Sequence, residues 1–322
     1  MKLIISGLEA LRTYVSREFY YIMTDLIADY GWMHIDTYEL WNGAGTIKDK
    51  LRDSFGELPE ILLFWEGYEF LDAHGAEVDR LACHKFLLAD DLHFWNEPMK
   101  QRKLGGFALC EKILSTYAYV WDKFYPELSG TRKVVWIPHA ASPDFMLRYN
   151  DRPQNSIFLS GALSNHYPLR RQMMNLREQR SYSIAHHSHP GYRCGYDYGN
   201  NKDIGRGYAE KINTYLAGFT DSAIYKYLVA KYFEIPATGT LLFADDAVSG
   251  PLKELGFIEN KHYLPVSEEN LEERVQYVLD ETNHVDLDEI RRRGQELVWE
   301  RHKTSDRARQ IDEVCTGEST TA

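Results

Sequence analysis

The sequence predicts an α/β protein built from two Rossmann-like domains, each with a parallel sheet. Short runs rich in Ile, Leu, Val and Phe alternate with longer segments of helical periodicity, which is the pattern of βαβ units. The chain has 322 residues, which suits two domains of about 150 residues each better than one. A polar segment with two prolines, residues 142–155, interrupts the alternation and predicts a linker with a hinge. We therefore expect domains over residues 1–145 and 146–300, followed by a C-terminal segment over 301–322.

The first half of the chain carries the strands of one predicted sheet. The opening run "KLIIS" reads as a buried strand, and "YVSREFYYIMTDLIADYG" (14–31) has the apolar spacing of a helix that ends at Gly31. Further short apolar runs follow, with helical segments between them. The predicted strands are residues 2–6, 33–38, 60–65, 84–89, 112–116 and 134–138.

The second half repeats this alternation and predicts a second sheet. Thr220, Asp221 or Ser222 is suited to cap a helix that begins near Ala223. The final "GESTTA" has the composition of a disordered tail. The predicted strands are residues 156–161, 181–187, 217–219, 240–246 and 262–266.

Composition excludes several classes of protein. The formal net charge of −11 disfavours general binding to nucleic acids, which requires clustered Lys and Arg. The four cysteines have no C-x-x-C spacing, which argues against a structural zinc and predicts a reducing compartment, the cytoplasm. No run approaches the roughly 18 apolar residues of a membrane helix, and the N-terminus lacks the features of a signal peptide.

Candidate functional residues come directly after the predicted strands, because ligands of open parallel sheets bind beyond the carboxyl ends of the strands. Gly161 and the following helix form an element that admits a phosphate, although an ordinary βα turn has the same sequence. Neither a Walker A motif nor a G-x-G-x-x-G motif follows a strand. The polar candidates after strands are Glu66, Asp90, Asp91, His93, His139, His186, His187 and His189.

These polar candidates have simpler interpretations. The spacing of His186, His187 and His189 divides them between two faces, so we expect bonds to backbone or ligand rather than a metal site. Asp90 and Asp91 resemble an acidic metal-binding pair, but residues at strand ends also cap the next helix. We therefore predict no metal ligands.

The stretch "TDSAIYKYLVAKYFEIPATGTLL" contains the strongest signal. Lys231 and Glu234 lie three residues apart and share a helix face, and Pro236 and Gly239 end that helix tightly. The simpler interpretation is a surface ion pair worth less than about 1 kcal/mol. The alternative is a carboxylate held at the ligand-facing rim of the second sheet.

Several blocks of the chain resemble the CgeB-like (spore-maturation-protein type) glycosyltransferases of the GT-B superfamily. "KYFEIPATGTLLFADD" resembles the Glu-x-Pro-Ala-x-Gly block of that family and the strand that follows it. The other blocks are similar and occur in the same order over most of residues 60–312. They are "ADDLH", "IPHAASPDF", "FLSGALSNHYPLRRQM" and "WERHKTSDRARQI".

The resemblance implies a GT-B architecture, with two Rossmann-like domains whose parallel sheets face a central cleft and a last helix that returns to the first domain. It implies transfer of a sugar from a nucleotide-sugar donor without a cofactor and without a divalent metal. Glu234 would accept hydrogen bonds from the ribose hydroxyls of the donor. In a related pattern a second glutamate stands where this chain has Lys226. The donor-binding residues expected on this basis are Gly161, His189, Ser222, Tyr225, Lys226, Lys231, Glu234 and Gly239.

The acceptor side is less determined. Asp91, His93 and His139, together with Asp90, are the candidates for the base that removes the acceptor proton. The acceptor itself is left open among glycans, lipid-linked molecules and proteins. Two alternatives keep the fold: a non-catalytic nucleotide-sugar-binding module, and a DNA-base glucosyltransferase, which the acidic charge disfavours.

Overall fold

The computed structural model describes residues 1–42, 44–130 and 133–318, and the chain divides into two units. Unit 1 comprises Met1–Arg12, Phe19–Pro138 and the segment that begins at Ser305. Unit 2 comprises Thr13–Glu18 and His139–Thr304. Each unit holds a parallel sheet with helices between the strands, so the predicted α/β class is confirmed. Of the predicted C-terminal tail, residues 319–322 lie outside the described residues.

Unit 1 contains a six-stranded parallel sheet in the order β2-β1-β3-β4-β5-β6. Its interior strands are nearly continuous apolar runs, as expected for a parallel sheet buried on both faces. The strands are β1 (Lys2–Ser6), β2 (Trp32–Asp36), β3 (Ile61–Trp65), β4 (His84–Ala89), β5 (Lys112–Ser115) and β6 (Val134–Trp136). The helices before β6 are α1 (Leu8–Arg12), α2 (Glu18–Tyr30), α3 (Thr37–Trp41), α4 (Ile47–Phe55), α5 (Tyr68–Asp79), α6 (Glu97–Ala108) and α7 (Trp121–Phe124).

Unit 2 contains a five-stranded parallel sheet in the order β11-β10-β9-β7-β8. Its core includes Ile157, Phe219 and Phe243 on three adjacent strands, all almost fully buried. The strands are β7 (Gln154–Ser160), β8 (Ile184–His187), β9 (Tyr215–Thr220), β10 (Leu241–Asp245) and β11 (Leu264–Val266). The helices are α8 (Pro168–Arg180), α9 (Gly205–Asn213), α10 (Lys231–Ala237), α11 (Ser249–Glu254), α12 (Leu271–Leu279) and α13 (His284–Arg301).

The last helix, α14 (Thr304–Thr316), packs into the core of unit 1. Ala308 and Ile311 are fully buried against that core. The carboxylate of Asp312 accepts hydrogen bonds from Lys2 Nζ at 2.6 Å and from Trp32 Nε1 at 2.7 Å. The first and last elements of the chain are therefore held together.

Residues 142–155 are not a linker, contrary to the sequence prediction. They lie within unit 2, and the chain passes between the units at Pro138 and His139. Asp144 is buried and paired with Arg17 at 2.6 Å, and the Leu147 carbonyl accepts from Gln295 Nε2 at 3.0 Å. The polar composition that suggested a linker is thus satisfied by distant partners.

The helix predicted to begin near Ala223 is also absent from the described residues. Ala223 and Lys226 have positive φ values of 54° and 63°, which a helix cannot accommodate. Asp221 and Ser222 do not cap a helix that begins at Ala223, because the Asp221 side chain contacts Arg170 and the Ser222 side chain contacts Asp245. The helix begins only at Lys231. In the described part of the chain no helix combines the length and apolar character needed to cross a membrane.

Candidate functional site

Helix α10 brings Lys231 and Glu234 to the carboxyl-terminal edge of the sheet in unit 2. The helix packs closely on β9, because a Cβ atom on Gly218 would lie only 2.9 Å from Ile235 Cγ2. The intervening side chains Tyr232 and Phe233 are fully buried and fix the rotation of the helix. The helix then ends beside Thr238, whose hydroxyl donates to the Ile235 carbonyl at 2.7 Å.

Glu234 is a buried carboxylate, with only 6% of its surface exposed. Among the described residues no donor lies within hydrogen-bonding distance of it, and Lys231 is not within 4 Å. Burial raises the pKa of Glu234 to about 7, the Lys231 charge opposes this rise, and the Glu18 charge adds to it. The interpretation of Glu234 as part of a surface ion pair is therefore wrong. Its oxygens are available to the hydroxyl groups of a ligand.

Two cations converge on Gly161 at the end of β7. Gly161 has φ of +105°, and a Cβ atom there would lie 2.6 Å from Arg170 Nη1 and 3.7 Å from Lys231 Cε. Burial and the Arg170 charge lower the pKa of Lys231, while Glu234 raises it. Lys231 Nζ lies 5.9 Å from the Tyr208 ring centroid and has no hydrogen-bond partner among the described residues. The turn therefore gathers two cationic side chains beside Gly161, which suits an anion.

Arg170 was not predicted from the sequence. It lies in the first turn of α8, where the helix dipole disfavours a cation, and this misplaced charge was the available signal. Its Nε lies 3.0 Å from Asp221 Oδ1 without hydrogen-bond geometry, and its backbone N–H donates to Asp221 Oδ2 at 3.2 Å. Asp221 therefore caps α8, so the free helix N-terminus expected after Pro168 is partly occupied by a carboxylate.

His189 lies near the same cations. Its Nδ1 accepts a hydrogen bond from the Gly191 backbone at 2.9 Å, which places the ring proton on Nε2. Burial and the charges of Lys231 and Arg170 lower the pKa of His189 to about 4. The imidazole is thus neutral at pH 7 and can donate one hydrogen bond.

Glu18 and His139 form a buried pair that belongs to unit 2. His139 Nδ1 lies 2.8 Å from Glu18 Oε2, and the Ala140 backbone donates to Glu18 Oε1 at 2.6 Å. The charges of Glu18, His139 and Asp144 all influence the pKa of Glu234. Glu18 was missed because its position in a first helical turn has the simpler interpretation of a helix-end charge. Its partner is 121 residues away.

The remaining predicted donor residues make other contacts. Lys226 lines a cavity of about 410 Å³ whose other lining residues include Asp221, Asp246 and Glu268, but not Glu234, Lys231 or Gly161. Ser222 is fully buried, and its hydroxyl donates to Asp245. Tyr225 stacks on His166, with ring centroids 5.7 Å apart. Gly239 has φ of +80° and packs against Tyr149 and Gln295, so it serves to end α10.

The acidic candidates after β4 belong to unit 1. Asp90 Oδ1 accepts a hydrogen bond from Thr116 Oγ1 at 2.8 Å. Asp91 is exposed, and its Oδ1 lies 3.7 Å from Nδ1 of the half-buried His93. Across the ranges 1–42, 44–130 and 133–318, no group of three His, Cys, Asp or Glu side chains is arranged to hold a metal ion.

Comparison with known proteins supports the predicted enzyme class. Residues 196–313 match the family described as glycosyl transferase-like, a segment that includes Lys231 and Glu234. The match covers less than half of the chain, so it assigns residues 196–313, and not the whole chain, to this family. No curated protein sequence matches the chain.

Solved structures of glycosyltransferases have the same fold. A sucrose-phosphate synthase from Thermosynechococcus elongatus is 12% identical, with a TM-score of 0.65 over 98% of this chain and 99% of that one. An alpha-glucosyltransferase in complex with UDP and DNA is 11% identical, with a TM-score of 0.65 and the same coverage. HepE from Anabaena in complex with UDP and glucose is 10% identical, with a TM-score of 0.58 over 99% and 100%. The predicted GT-B fold is confirmed, and with the family match so is the class of glycosyltransferase.

Proposed function

We propose that this protein transfers a sugar from a nucleoside diphosphate sugar to an acceptor hydroxyl without a divalent metal. One observation carries the proposal: Lys231 and Glu234 stand on one face of α10, and neither side chain has a hydrogen-bond partner among the described residues. Leaving opposite charges without partners at a sheet edge is unfavourable unless a ligand satisfies both. A nucleotide sugar offers both kinds of partner, ribose hydroxyls and a diphosphate.

Each group has a distinct role in this proposal. The Glu234 carboxylate accepts hydrogen bonds from the two neighbouring ribose hydroxyls, and ionised acceptors make the stronger bonds. Lys231 and the Nη1 atom of Arg170 contact the diphosphate near Gly161, whose missing side chain leaves room for the Arg170 guanidinium. The neutral His189 donates a hydrogen bond from Nε2 to the same anion. UDP is the first nucleotide to test, because the neighbours with this fold were solved with it.

The cations provide the electrostatic part of catalysis. During transfer the bond between the sugar C1 and the diphosphate oxygen breaks, and its electron pair stays on the leaving diphosphate. The acceptor oxygen bonds to C1 and gives its proton to a base. Charges fixed beside the leaving group before reaction stabilise the transition state without reorganisation. Lys231 and Arg170 therefore take the role that a divalent metal has in other transferases.

The base is proposed from the candidates Asp91, His93 and His139. Of these, His139 has the most defined environment, because Glu18 holds its Nδ1 at 2.8 Å and so favours a proton there. Its Nε2 is then the basic nitrogen. The blocks quoted above further suggest a CgeB-like enzyme, and the four free cysteines agree with a place in the reducing cytoplasm.

A nucleotide screen tests the proposal. Thermal shifts with UDP, GDP, ADP, CDP and TDP in EDTA identify the nucleobase that the protein prefers. Hydrolysis of the matching nucleotide sugars in EDTA measures turnover. We expect one nucleoside diphosphate to stabilise the protein and its sugar to be hydrolysed. Activity that disappears in EDTA and returns with manganese would contradict the metal-independent mechanism. Tight binding without hydrolysis or transfer would instead identify a non-catalytic donor-binding module, and salt-dependent DNA retention a DNA-base glucosyltransferase.

A further inference from the structure

A group of polar side chains at the carboxyl ends of β3 and β4 has no role in the donor site. We call Glu66, Tyr68, Asp90 and Lys103 the acidic niche; all four belong to unit 1. The Glu66 backbone donates to the Leu88 carbonyl at 2.9 Å, which brings the ends of the two strands together. Burial raises the pKa of Glu66 to about 8, and the Asp90 charge adds to the rise. The two carboxyl groups therefore lie close enough to influence each other.

The backbone at the niche is strained. Glu66 has φ of 55°, and the next residue, Gly67, has φ of 67°. The left-handed region is unfavourable for a non-glycine residue, and such residues occur often at functional sites. This turn places the Glu66 side chain at the edge of the sheet, ahead of the first turn of α5.

Tyr68 provides the independent observation that points to a ligand. Only 8% of its surface is exposed, and its hydroxyl has no hydrogen-bond partner in the described part of the chain. Burial raises the pKa of its phenol and the Glu66 charge adds to the rise, and Lys103 Nζ lies 5.2 Å from its ring centroid, so Tyr68 borders the niche. A buried hydroxyl without a partner destabilises the folded protein. A ligand oxygen that accepts from Tyr68 would remove that penalty.

The charges of the niche determine which ligands fit. Lys103 Nζ already donates to the carbonyl oxygens of Asp91 and His93, the latter at 3.2 Å, and lies 5.2 Å from the Tyr68 ring centroid. Its charge is therefore directed partly away from an incoming group. Two carboxyl groups, Glu66 and Asp90, face this one cation. The niche carries no net positive charge whether Glu66 is protonated or ionised, so it does not attract an anionic ligand, whereas hydroxyl groups can donate to the carboxyl oxygens.

We propose that the acidic niche binds a hydroxyl group of the acceptor, and that the acceptor is an uncharged polyhydroxylated molecule rather than a phosphate or a carboxylate. The acceptor assignment rests on the proposed function, since a niche without a transferase would bind glycosides without reaction. Tyr68 donates to the acceptor, while Glu66 and Asp90 accept from it. The niche thereby disfavours polyanionic acceptors such as DNA.

Paired probes test this proposal on the full chain. Methyl glucoside, galactoside and mannoside serve as neutral probes, and the corresponding uronates and 6-phosphates serve as anionic ones. Saturation-transfer NMR measures their binding without a donor. Release of UDP from UDP-glucose, UDP-galactose or UDP-N-acetylglucosamine measures transfer. We expect at least one neutral glycoside to bind at least tenfold more tightly than its anionic partners and to act as acceptor.

Two variants locate the binding in the niche. Tyr68→Phe should raise the acceptor KM about tenfold and should not lower stability, because it removes an unsatisfied hydroxyl. At pH 9, where Glu66 is ionised, Glu66→Gln should reduce the preference for the neutral probe over its 6-phosphate. Tyr263→Phe removes a buried hydroxyl in unit 2 and is the matched control, for which the acceptor KM should not change.

The outcomes separate this inference from the proposed function. Glycoside binding that Tyr68→Phe weakens, without any transfer, supports the niche and contradicts the transferase. Donor turnover with a preferred anionic acceptor, or with an unchanged acceptor KM in Tyr68→Phe, overturns the niche and leaves the donor site intact. Absence of binding by all the glycosides also overturns it.

Discussion

Replacing Glu234 by Gln should stabilise the unliganded protein while weakening its binding of the donor. The pKa of Glu234 rises from its ordinary 4.5 to about 7, mainly through burial. This difference of about 2.5, at about 1.4 kcal/mol for each pH unit, corresponds to about 3.5 kcal/mol. Gln keeps the shape of the side chain but does not titrate. About 3.5 kcal/mol is an upper value, because the variant also loses the attraction to Lys231.

The sign follows from proton linkage. A carboxyl group whose folded pKa is raised favours the folded state while it is protonated, so this contribution is complete below pH 4.5. It is lost as the pH rises from 4.5 to about 7. The wild type should therefore lose stability relative to Glu234→Gln across this range. Above pH 7.5 the variant should be the more stable protein, by about 1 to 3 kcal/mol relative to the difference at pH 4.5.

Two measurements check the prediction. Urea unfolding of both proteins at pH 4.5, 6, 7 and 8 gives the stability difference, with Glu300→Gln on the exposed face of α13 as the control. Titration calorimetry at pH 8 with UDP and with its 2′-deoxy analogue gives the binding part. We expect a loss of 1 to 3 kcal/mol, about ten- to a hundredfold, together with loss of discrimination against the deoxy analogue. A pH-independent stability difference, or unchanged discrimination in the variant, would refute the reasoning.

Three further predictions concern the same site. Gly161→Ala should weaken nucleotide binding at least tenfold and lower the stability of the fold by about 1–3 kcal/mol. The reason is that the new Cβ atom would lie 2.6 Å from Arg170 Nη1 and that φ at this position is +105°. Calorimetry measures the first effect and urea unfolding the second. Lys231→Met should raise the melting temperature of the free protein but reduce donor hydrolysis at least tenfold, because it removes a charge that burial already disfavours; an unchanged hydrolysis rate would contradict the proposed role. Affinity for UDP-glucose, whose phosphates do not titrate near neutrality, should fall up to about tenfold from pH 8 to pH 6 as Glu234 gains its proton, and Glu234→Gln should abolish that slope.

The sequence predicted the architecture well because strand signals are local. The run at 2–6 and the run at 84–89 are strands over the predicted residues, and the other strands differ by a few residues at their ends. Apolar runs between helical segments suffice to indicate a parallel sheet, and the residues after each strand are then known to share an edge. Gly161 was found in this way, whereas Lys231 and Glu234 were found from their spacing on a predicted helix and from the resemblance to a family.

The wrong predictions have a common physical cause, which is pairing between residues that lie far apart in the sequence. Asp144 looked like part of a polar linker because its partner Arg17 is 127 residues away. Asp221 looked like the cap of the next helix, whereas it caps α8, 51 residues earlier in the chain. Local propensity cannot distinguish a polar residue that faces water from one that a distant charge holds in the interior.

The position of α14 has a consequence for the order of folding during synthesis. The core of unit 1 includes Ile4 and Leu63 near the start of the chain, and it is closed by Ala308, Ile311 and Cys315 near the end. A ribosome must therefore release the chain as far as α14 before the sheet of unit 1 is covered, although the strands of that sheet emerge before those of unit 2. Most of unit 2 is one continuous segment, His139–Thr304, which can collapse earlier. The sheet of unit 1 is thus made before that of unit 2 but covered after it, and its apolar strands stay exposed until α14 has been synthesised.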